Sequence, residues 1–90
     1  MKKKIAILGS TGSIGKSLIE IIKKDKKNFE ISLLTINKNL NLLIKQINTF
    51  NVKNVIISDY KTYLRAKNIF IKKKINIYNN FDNFKKIFNN

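Results

Sequence analysis

Three glycines lie within seven positions near the start of this chain, and the chain has no other glycine and no proline. They are Gly9, Gly12 and Gly15, in a run that reads Gly-Ser-Thr-Gly-Ser-Ile-Gly. The run follows a short apolar segment and precedes a longer segment in which apolar residues recur at helical spacing. Glycines between a strand and a helix are what the phosphate-binding turn of a dinucleotide-binding fold requires, so such a turn is predicted here.

Apolar runs and amphipathic segments alternate along the chain. Four apolar runs predict β-strands, over residues 4–8, 30–36, 54–58 and 75–78. Amphipathic segments predict helices over residues 13–24 and 40–48, then from residue 60, then from residue 80 or 82. Strands that alternate with helices at this spacing form a parallel sheet with right-handed crossovers. The expected fold class is therefore α/β, a Rossmann-like parallel sheet with flanking helices.

Four strand–helix units are too few to complete the cleft of a dinucleotide-dependent enzyme. Residues 1–90 are therefore expected to be an incomplete domain, the N-terminal part of a larger NAD(P)-binding domain. Catalytic and C-terminal domains are expected outside this chain.

Apolar residues at helical spacing predict which face of each helix packs against the sheet. For the first helix these are Ile14, Leu18, Ile21 and Ile22. For the second they are Leu40, Leu43, Ile44 and Ile47. For the third they are Tyr60, Tyr63, Leu64 and Ile71, and for the last Phe84, Ile87 and Phe88.

Each glycine of the run has a separate expected role. Gly9 lets the backbone turn out of the first strand, Gly12 leaves room for a pyrophosphate, and Gly15 lets the helix lie close to the strand. Free N–H groups around Ser13 and Ile14 would point at the phosphate from a helix N-terminus. Three hydroxyls are expected to add donors, those of Ser10, Thr11 and Ser13. The alternative is a tight turn that uses its glycines for packing alone.

The segment after the second strand predicts which cofactor is bound. NAD-specific folds carry an acid there that bonds the ribose 2′-hydroxyl. This chain has no carboxylate between Glu30 and Asp59, and its second strand is followed by Asn37, Lys38 and Asn39. A lysine attracts a 2′-phosphate that an acid would repel, so NADPH is preferred over NADH. The alternative is that Lys38 is one more solvated lysine.

The glycine run, after Ile-Ala-Ile-Leu, closely resembles the amino terminus of the 1-deoxy-D-xylulose 5-phosphate reductoisomerase family. The likeness continues at later positions, which are Asn28-Phe29, Lys38-Asn39, Gln46, Phe50 and Ser58-Asp59. It implies that Thr11, Gly12, Ser13 and Ile14 bind the pyrophosphate region of NADPH. It also implies that Lys38 and Asn39 hold the 2′-phosphate. Asn37 departs from the family pattern, which commonly has glycine there, and is the remaining residue expected in this part of the site.

The resemblance also implies an activity for the whole protein. The family isomerises and reduces 1-deoxy-D-xylulose 5-phosphate to 2-C-methyl-D-erythritol 4-phosphate with NADPH and a divalent metal, Mg or Mn, generally as a homodimer. Its metal ligands and active-site histidine lie beyond residue 90 in relatives. This chain has no histidine, and its five acids are scattered, at Glu20, Asp25, Glu30, Asp59 and Asp82. No catalytic or metal residue is therefore assigned, and the chain alone is expected to bind the cofactor weakly at best and not to turn over substrate.

Two other function classes stay open. One is another NADP-linked oxidoreductase with the same glycine spacing, of the epimerase or reductase type or the semialdehyde dehydrogenase type. The other is a non-catalytic basic module, since the net charge of +14 suits an acidic partner. Lysine, isoleucine and asparagine make up more than half of the chain, which A/T-rich codons alone would produce, so specific nucleic-acid binding is not expected. The chain has no cysteine and no run long enough for a membrane span, so a cytoplasmic protein is expected.

Overall fold

The computed structural model describes residues 2–82 and 84–88. Its strands are β1 (Lys3–Leu8), β2 (Phe29–Ile36), β3 (Asn54–Ile57) and β4 (Asn76–Tyr78). Its helices are α1 (Ser13–Lys23), α2 (Leu40–Phe50), α3 (Tyr60–Ile69) and α4 (Phe84–Phe88). The predicted order of elements is confirmed. The first and last residues of each strand lie within about one residue of their predicted positions.

The four strands form one parallel sheet in the order β1-β2-β3-β4. One row of partners crosses all four strands, running from Ile7 through Leu34 and Val55 to Ile77. The pairing of β1 with β2 shifts between Ile5 and Ala6. The predicted α/β class with a Rossmann-like parallel sheet is confirmed.

Strand β2 lies in the middle of the core. Its side chains are buried on both faces of the sheet, at Ile31, Leu33, Leu34, Thr35 and Ile36. A continuous apolar run is typical of a parallel strand that is covered on both sides, which is why the sequence identifies β2 so clearly. Thr35 is the polar member of this set, and its side chain is used in the loop described below.

The predicted buried face of α1 is wrong at three of its four residues and confirmed only at Ile22. Ile14, Leu18 and Ile21 are exposed, and Ile14 has 80% of its surface accessible. The buried face is instead formed by Gly15, Ile19 and Ile22. These residues also follow helical spacing, but a glycine carries no apolar side chain, so the pattern could not mark it as the residue nearest the sheet.

The predicted face of α3 is also largely wrong, whereas that of α2 is confirmed. In α3 the buried residues are Thr62 and Ala66, Tyr60 and Leu64 are exposed, and Ile71 lies beyond the helix. Small side chains face the sheet here because α3 packs closely against it. In α2, Leu40, Leu43 and Ile47 are buried as expected and Ile44 is half-buried.

The last helix, α4, has half-buried side chains at Phe84 and Ile87, as its predicted stripe requires. Phe88 is the last residue of α4, but its side chain lies outside what the structure describes, so its place on the stripe stays a prediction. Across the described ranges, no helix has the length and apolar character that crossing a membrane would require.

Candidate functional site

Three connecting segments meet at one edge of the sheet. Because the strands are parallel, the carboxyl ends of β1, β2 and β3 all lie at that edge, where open α/β sheets bind their ligands. The segment after β1 is the glycine run, the segment after β2 is residues 37–39, and the segment after β3 is residues 58–59. The structure therefore brings both predicted parts of the cofactor site to the same edge.

The glycine run leaves β1 through a tight turn. Gly9 has φ +67°, a left-handed conformation that a side chain would strain, and its carbonyl accepts a hydrogen bond from the Gly12 N–H at 3.0 Å. Strand β2 holds this turn at two points, both through Thr35. The Thr35 hydroxyl accepts from the Gly9 N–H at 3.0 Å, and its carbonyl accepts from the Ser10 N–H at 2.9 Å. The predicted turn at Gly9 is confirmed.

Close packing explains the third glycine. A Cβ atom on Gly15 would overlap the carbonyl oxygen of Gly9 and come within 2.7 Å of the Ser10 Cα. Helix α1 can approach the loop only because residue 15 has no side chain. The close approach predicted for Gly15 is confirmed, and its partner is the backbone of the loop.

Gly12 differs from the other two glycines. It is the N-cap of α1 with φ −79° and ψ 176°, a conformation open to any residue, and the nearest atom to a Cβ there would be 3.4 Å away. Nothing in the described part of the chain therefore requires glycine at this position. The space beside Gly12 opens to solvent, which is what a site for a bulky phosphate would need.

Helix α1 begins with unsatisfied donors. In the described part of the chain no side chain caps this helix, and no hydrogen bond uses the N–H groups of Ser13, Ile14 or Gly15. Ser13 and Ile14 are exposed, whereas Gly15 is buried. The first N–H groups of a helix and its dipole together favour an anion, and the first turn of α1 carries no acidic residue that would repel one.

Ser10 faces the interior rather than the open side of the loop. Its side chain is fully buried, so its hydroxyl does not lie where the predicted phosphate contact needs it. Its N–H donates to Thr35, and its carbonyl accepts from the Gln46 side-chain amide at 2.9 Å. Every backbone group of Ser10 is thus used inside the protein. Thr11 is half-buried and Ser13 is exposed, so their hydroxyls are nearer to solvent.

Residues 37–39, after β2, are exposed. The Asn37 side-chain oxygen accepts from the Ser58 hydroxyl at 3.0 Å, and the Asn39 side chain caps α2 by accepting from the Leu42 N–H at 3.3 Å. Among the described non-glycine residues only Asn51 has a positive φ, so Asn37 does not need the left-handed backbone that a glycine would offer. The departure from the family pattern at Asn37 therefore strains no turn.

Lys38 supplies a cation at this edge. Within the described ranges its ammonium group makes no hydrogen bond and no ion pair, so it is available to an anion. The positive charge of Lys38 also interacts with the carboxyl group of Asp59, which follows β3. The pKa of the Asp59 carboxyl is lowered chiefly by the hydrogen bonds from the Thr62 hydroxyl and N–H, and further by the positive charges of Lys38 and Lys61.

A metal centre is not formed by the residues that the structure describes, which contain no group of three or more potential ligands. A groove of about 680 Å³ between α1 and α2 is lined by none of the ten predicted site residues. The candidate site is therefore the open edge of the sheet and not an enclosed cavity.

Two residues that hold the loop were not assigned a role by the sequence. Thr35 belongs to an apolar run that predicts a strand, and a lone threonine in such a run can mark a side chain with a polar partner. Gln46 was noted only within the family resemblance. Their contacts with the loop span 26 and 36 residues of chain, which a local pattern does not record.

Comparison with known proteins agrees with this geometry. The family model for 1-deoxy-D-xylulose 5-phosphate reductoisomerase matches residues 5–89. The enzyme of that name from Pelagibacter ubique (strain HTCC1062) is 59% identical over 97% of this chain and 22% of its own length. The one from Phocaeicola vulgatus is 37% identical over 87% of this chain and 20% of its own length.

The fold has a counterpart among solved structures. The reductoisomerase from Zymomonas mobilis, determined in complex with NADPH, superposes with a TM-score of 0.83 over 97% of this chain and 23% of its own, at 24% identity. The chain thus spans about a fifth of the length of the curated relatives it matches. The family match over residues 5–89 and the identity with the Pelagibacter enzyme show that this chain belongs to the 1-deoxy-D-xylulose 5-phosphate reductoisomerase family.

Proposed function

We propose that this chain is the N-terminal NADPH-binding part of a 1-deoxy-D-xylulose 5-phosphate reductoisomerase. The observation that carries the proposal is the loop at the end of β1, where unsatisfied N–H groups of α1 open onto the space left by Gly12. Binding of NADPH by the Zymomonas relative supports the same assignment. Residues 1–90 are then one incomplete domain, and the catalytic and C-terminal domains belong to the rest of the protein.

The loop would hold the diphosphate of NADPH. The free Thr11 N–H and the open space beside Gly12 would face it, with the N–H groups of Ser13 and Ile14 pointing along the axis of α1, and Gly9 would shape the turn. Gly15 would bring the helix close enough to do so, and Ser10 would anchor the loop from inside. These roles fit backbone recognition, in which the absence of side chains matters more than their chemistry.

The residues after β2 would hold the adenosine 2′-phosphate. Lys38 would supply the charge, Asn39 the start of α2, and Asn37 the link to the neighbouring strand through Ser58. A free ammonium at this position favours the dianionic 2′-phosphate of NADPH over the hydroxyl of NADH.

The bound cofactor supplies hydride for the reduction of a sugar phosphate, 1-deoxy-D-xylulose 5-phosphate. What this chain contributes is binding and orientation of that cofactor. The divalent metal of the full-length enzyme, its catalytic residues and its homodimer contacts would come from other parts of the protein. Because NADPH is a soluble reductant of the cell interior, the proposal also assigns the protein to the cytoplasm, with no membrane partner and no specific nucleic acid.

The proposal is tested by comparing the affinities of the chain for NADPH and NADH. The unmutated chain is expected to bind NADPH more tightly, because the 2′-phosphate adds a charged contact. Lys38→Ala is expected to weaken NADPH binding roughly tenfold and to leave NADH binding unchanged. Isothermal titration calorimetry or cofactor fluorescence at fixed ionic strength measures both constants.

Lys53→Ala is the matched control, since it removes the same charge just before β3, at the opposite edge of the sheet. Its NADPH affinity should stay close to that of the parent. Equal affinities of the parent for NADPH and NADH would remove Lys38 from the proposal. Salt-dependent binding of duplex DNA in preference to NADPH would favour the basic binding module instead.

A further inference from the structure

A buried amide reaches the glycine loop from α2. The Gln46 side chain is 4% exposed, and its Nε2 donates to the carbonyl oxygen of Ser10 at 2.9 Å. Ser10 is itself fully buried. This hydrogen bond joins residues 36 positions apart, and it is the tie between α2 and the loop.

The hydrogen bond from Gln46 to the Ser10 carbonyl also fixes the direction of the Thr11 N–H. The carbonyl of Ser10 and the N–H of Thr11 belong to one planar trans peptide, so they point in opposite directions. A Ser10 carbonyl held toward Gln46 therefore turns the Thr11 N–H away from the interior. No hydrogen bond within the described ranges uses that N–H. We propose that Gln46 is a positioning residue that aims the Thr11 N–H at the diphosphate, an inference that rests on the proposed function.

Packing alone does not account for an amide at this position. The other buried residues of α2 are apolar, namely Leu40, Leu43 and Ile47. The Gln46 side-chain oxygen has no partner among the described protein groups, and a buried polar atom without a partner destabilises a fold relative to an apolar side chain of similar shape. The bond to Ser10 is what the amide contributes.

Helix α2 supports both parts of the site. It begins at the Asn39 cap beside Lys38, and Gln46 lies seven residues later, about 10 Å along the axis. The same rigid element that starts at the 2′-phosphate segment thus fixes the loop for the diphosphate. The two contacts can still be separated experimentally, because adenosine 2′-phosphate contains one group and lacks the other.

The first test replaces Gln46 with methionine, which keeps the length and removes the donor. Gln46→Met is expected to weaken NADPH binding about tenfold and to change the affinity for adenosine 2′-phosphate by less than about twofold. Asn54→Leu is the control. It removes another amide-to-carbonyl bond, from Asn54 to Ser32 at 3.1 Å, together with the bond that Asn54 accepts from the Asn76 side chain at 3.0 Å. Both lie toward the opposite edge of the sheet, so the variant should destabilise the fold without changing either affinity. Equal losses for both ligands, or no loss for NADPH, would overturn the role of Gln46.

A second variant decides the matter if Gln46→Met does not fold. In Gln46→Glu a neutral carboxyl group can donate to the Ser10 carbonyl, whereas the ionised group cannot, and burial favours the neutral form. The ratio of its NADPH dissociation constant to that of the parent at the same pH is expected to rise about tenfold between pH 5.5 and 8. A ratio that does not change with pH contradicts the proposal.

Failure of this inference differs from failure of the proposed function. If the parent chain binds NADPH, Gly12→Val loses binding and Gln46→Met retains it, only the role of Gln46 is wrong. If neither the parent chain nor the full-length protein that contains it binds NADPH, the proposed function and this inference are both wrong.

Discussion

At the scale of single residues, the three glycines of the loop meet three different physical requirements. Gly9 takes a left-handed backbone, and Gly15 lies where a Cβ would overlap the loop backbone. Gly12 has an ordinary backbone and room for a side chain within the protein. The fold therefore needs glycine at positions 9 and 15, whereas the space at Gly12 is left for a ligand.

This difference predicts that the same substitution is costly at one position and nearly neutral at the other. Gly15→Ala is expected to lower the free energy of unfolding by about 2 kcal/mol, because backbone atoms of Gly9 and Ser10 must shift. Gly12→Ala is the control and should change it by less than about 0.5 kcal/mol. The gain from a less flexible unfolded chain, which φ −79° permits, is offset because alanine is a poorer N-cap than glycine. Urea unfolding followed by circular dichroism measures both values.

A second substitution at Gly12 should affect cofactor binding without affecting the fold. Gly12→Val is expected to abolish NADPH binding while helix content stays nearly that of the parent. Gly12→Val that still binds NADPH would show that the phosphate does not approach this part of the loop.

The stability test at Gly15 also has a contradicting outcome. A Gly15→Ala chain as stable as the parent would mean that α1 can move away from the loop at little cost.

At the scale of elements, α2 and α3 begin with side-chain caps that lie at the cofactor edge of the sheet. Asn39 caps α2, and Asp59 caps α3 through bonds to the Thr62 N–H at 3.1 Å and hydroxyl at 2.7 Å. The cap of α3 is ionised, so it also responds to pH. Its carboxylate stands near Lys38, which links the stability of α3 to the charge of the cofactor edge.

The lowered pKa of Asp59 predicts a pH-dependent cap. A carboxyl whose pKa is lower in the folded than in the unfolded chain stabilises the fold above its unfolded pKa of about 4. That contribution is lost as the pH falls through the lower folded value. Unfolding by urea at a series of pH values should show the parent losing stability in acid through this residue.

Asp59→Asn isolates the effect, because asparagine keeps the cap acceptor and does not titrate. The difference in unfolding free energy between parent and variant is expected to be largest near neutral pH and to shrink below about pH 4. A difference that stays constant across the acid range would mean that Asp59 does not titrate differently in the folded chain.

At the scale of the whole molecule, positive charges far outnumber negative ones, and several large apolar side chains are exposed. The net charge is +14, and the described residues form no ion pair between a lysine or arginine and a carboxylate. On the same molecule Leu8 is 60% exposed and Ile14 is 80% exposed. Mutual repulsion between the cations opposes the compact state, and no local pairing offsets it.

Added salt is therefore expected to stabilise the fold. Raising NaCl from about 10 mM to about 150 mM shortens the screening length from roughly 30 Å to roughly 8 Å, which weakens repulsion across the molecule. The urea midpoint should rise, and the dependence of the unfolding free energy on urea should keep its slope, since the buried surface does not change. A midpoint that falls with NaCl would mean that attractive charge contacts dominate.

The sequence by itself determined the elements, the parallel sheet and the place of the loop. Strands buried on both faces are continuous apolar runs, and a backbone that must turn sharply or approach another backbone needs glycine, so both leave local marks. The family resemblance, carried by the same loop and by Lys38-Asn39, is confirmed by the match over residues 5–89.

Only the tertiary structure decided which helix faces are buried and what holds the loop. The buried face of α1 is centred on a residue without a side chain, and α3 approaches the sheet through Thr62 and Ala66, so apolar spacing misidentified both faces. The ties from Thr35 and Gln46 join distant parts of the chain. The partner of a polar side chain depends on which segments the fold brings together, and a linear pattern holds no record of that.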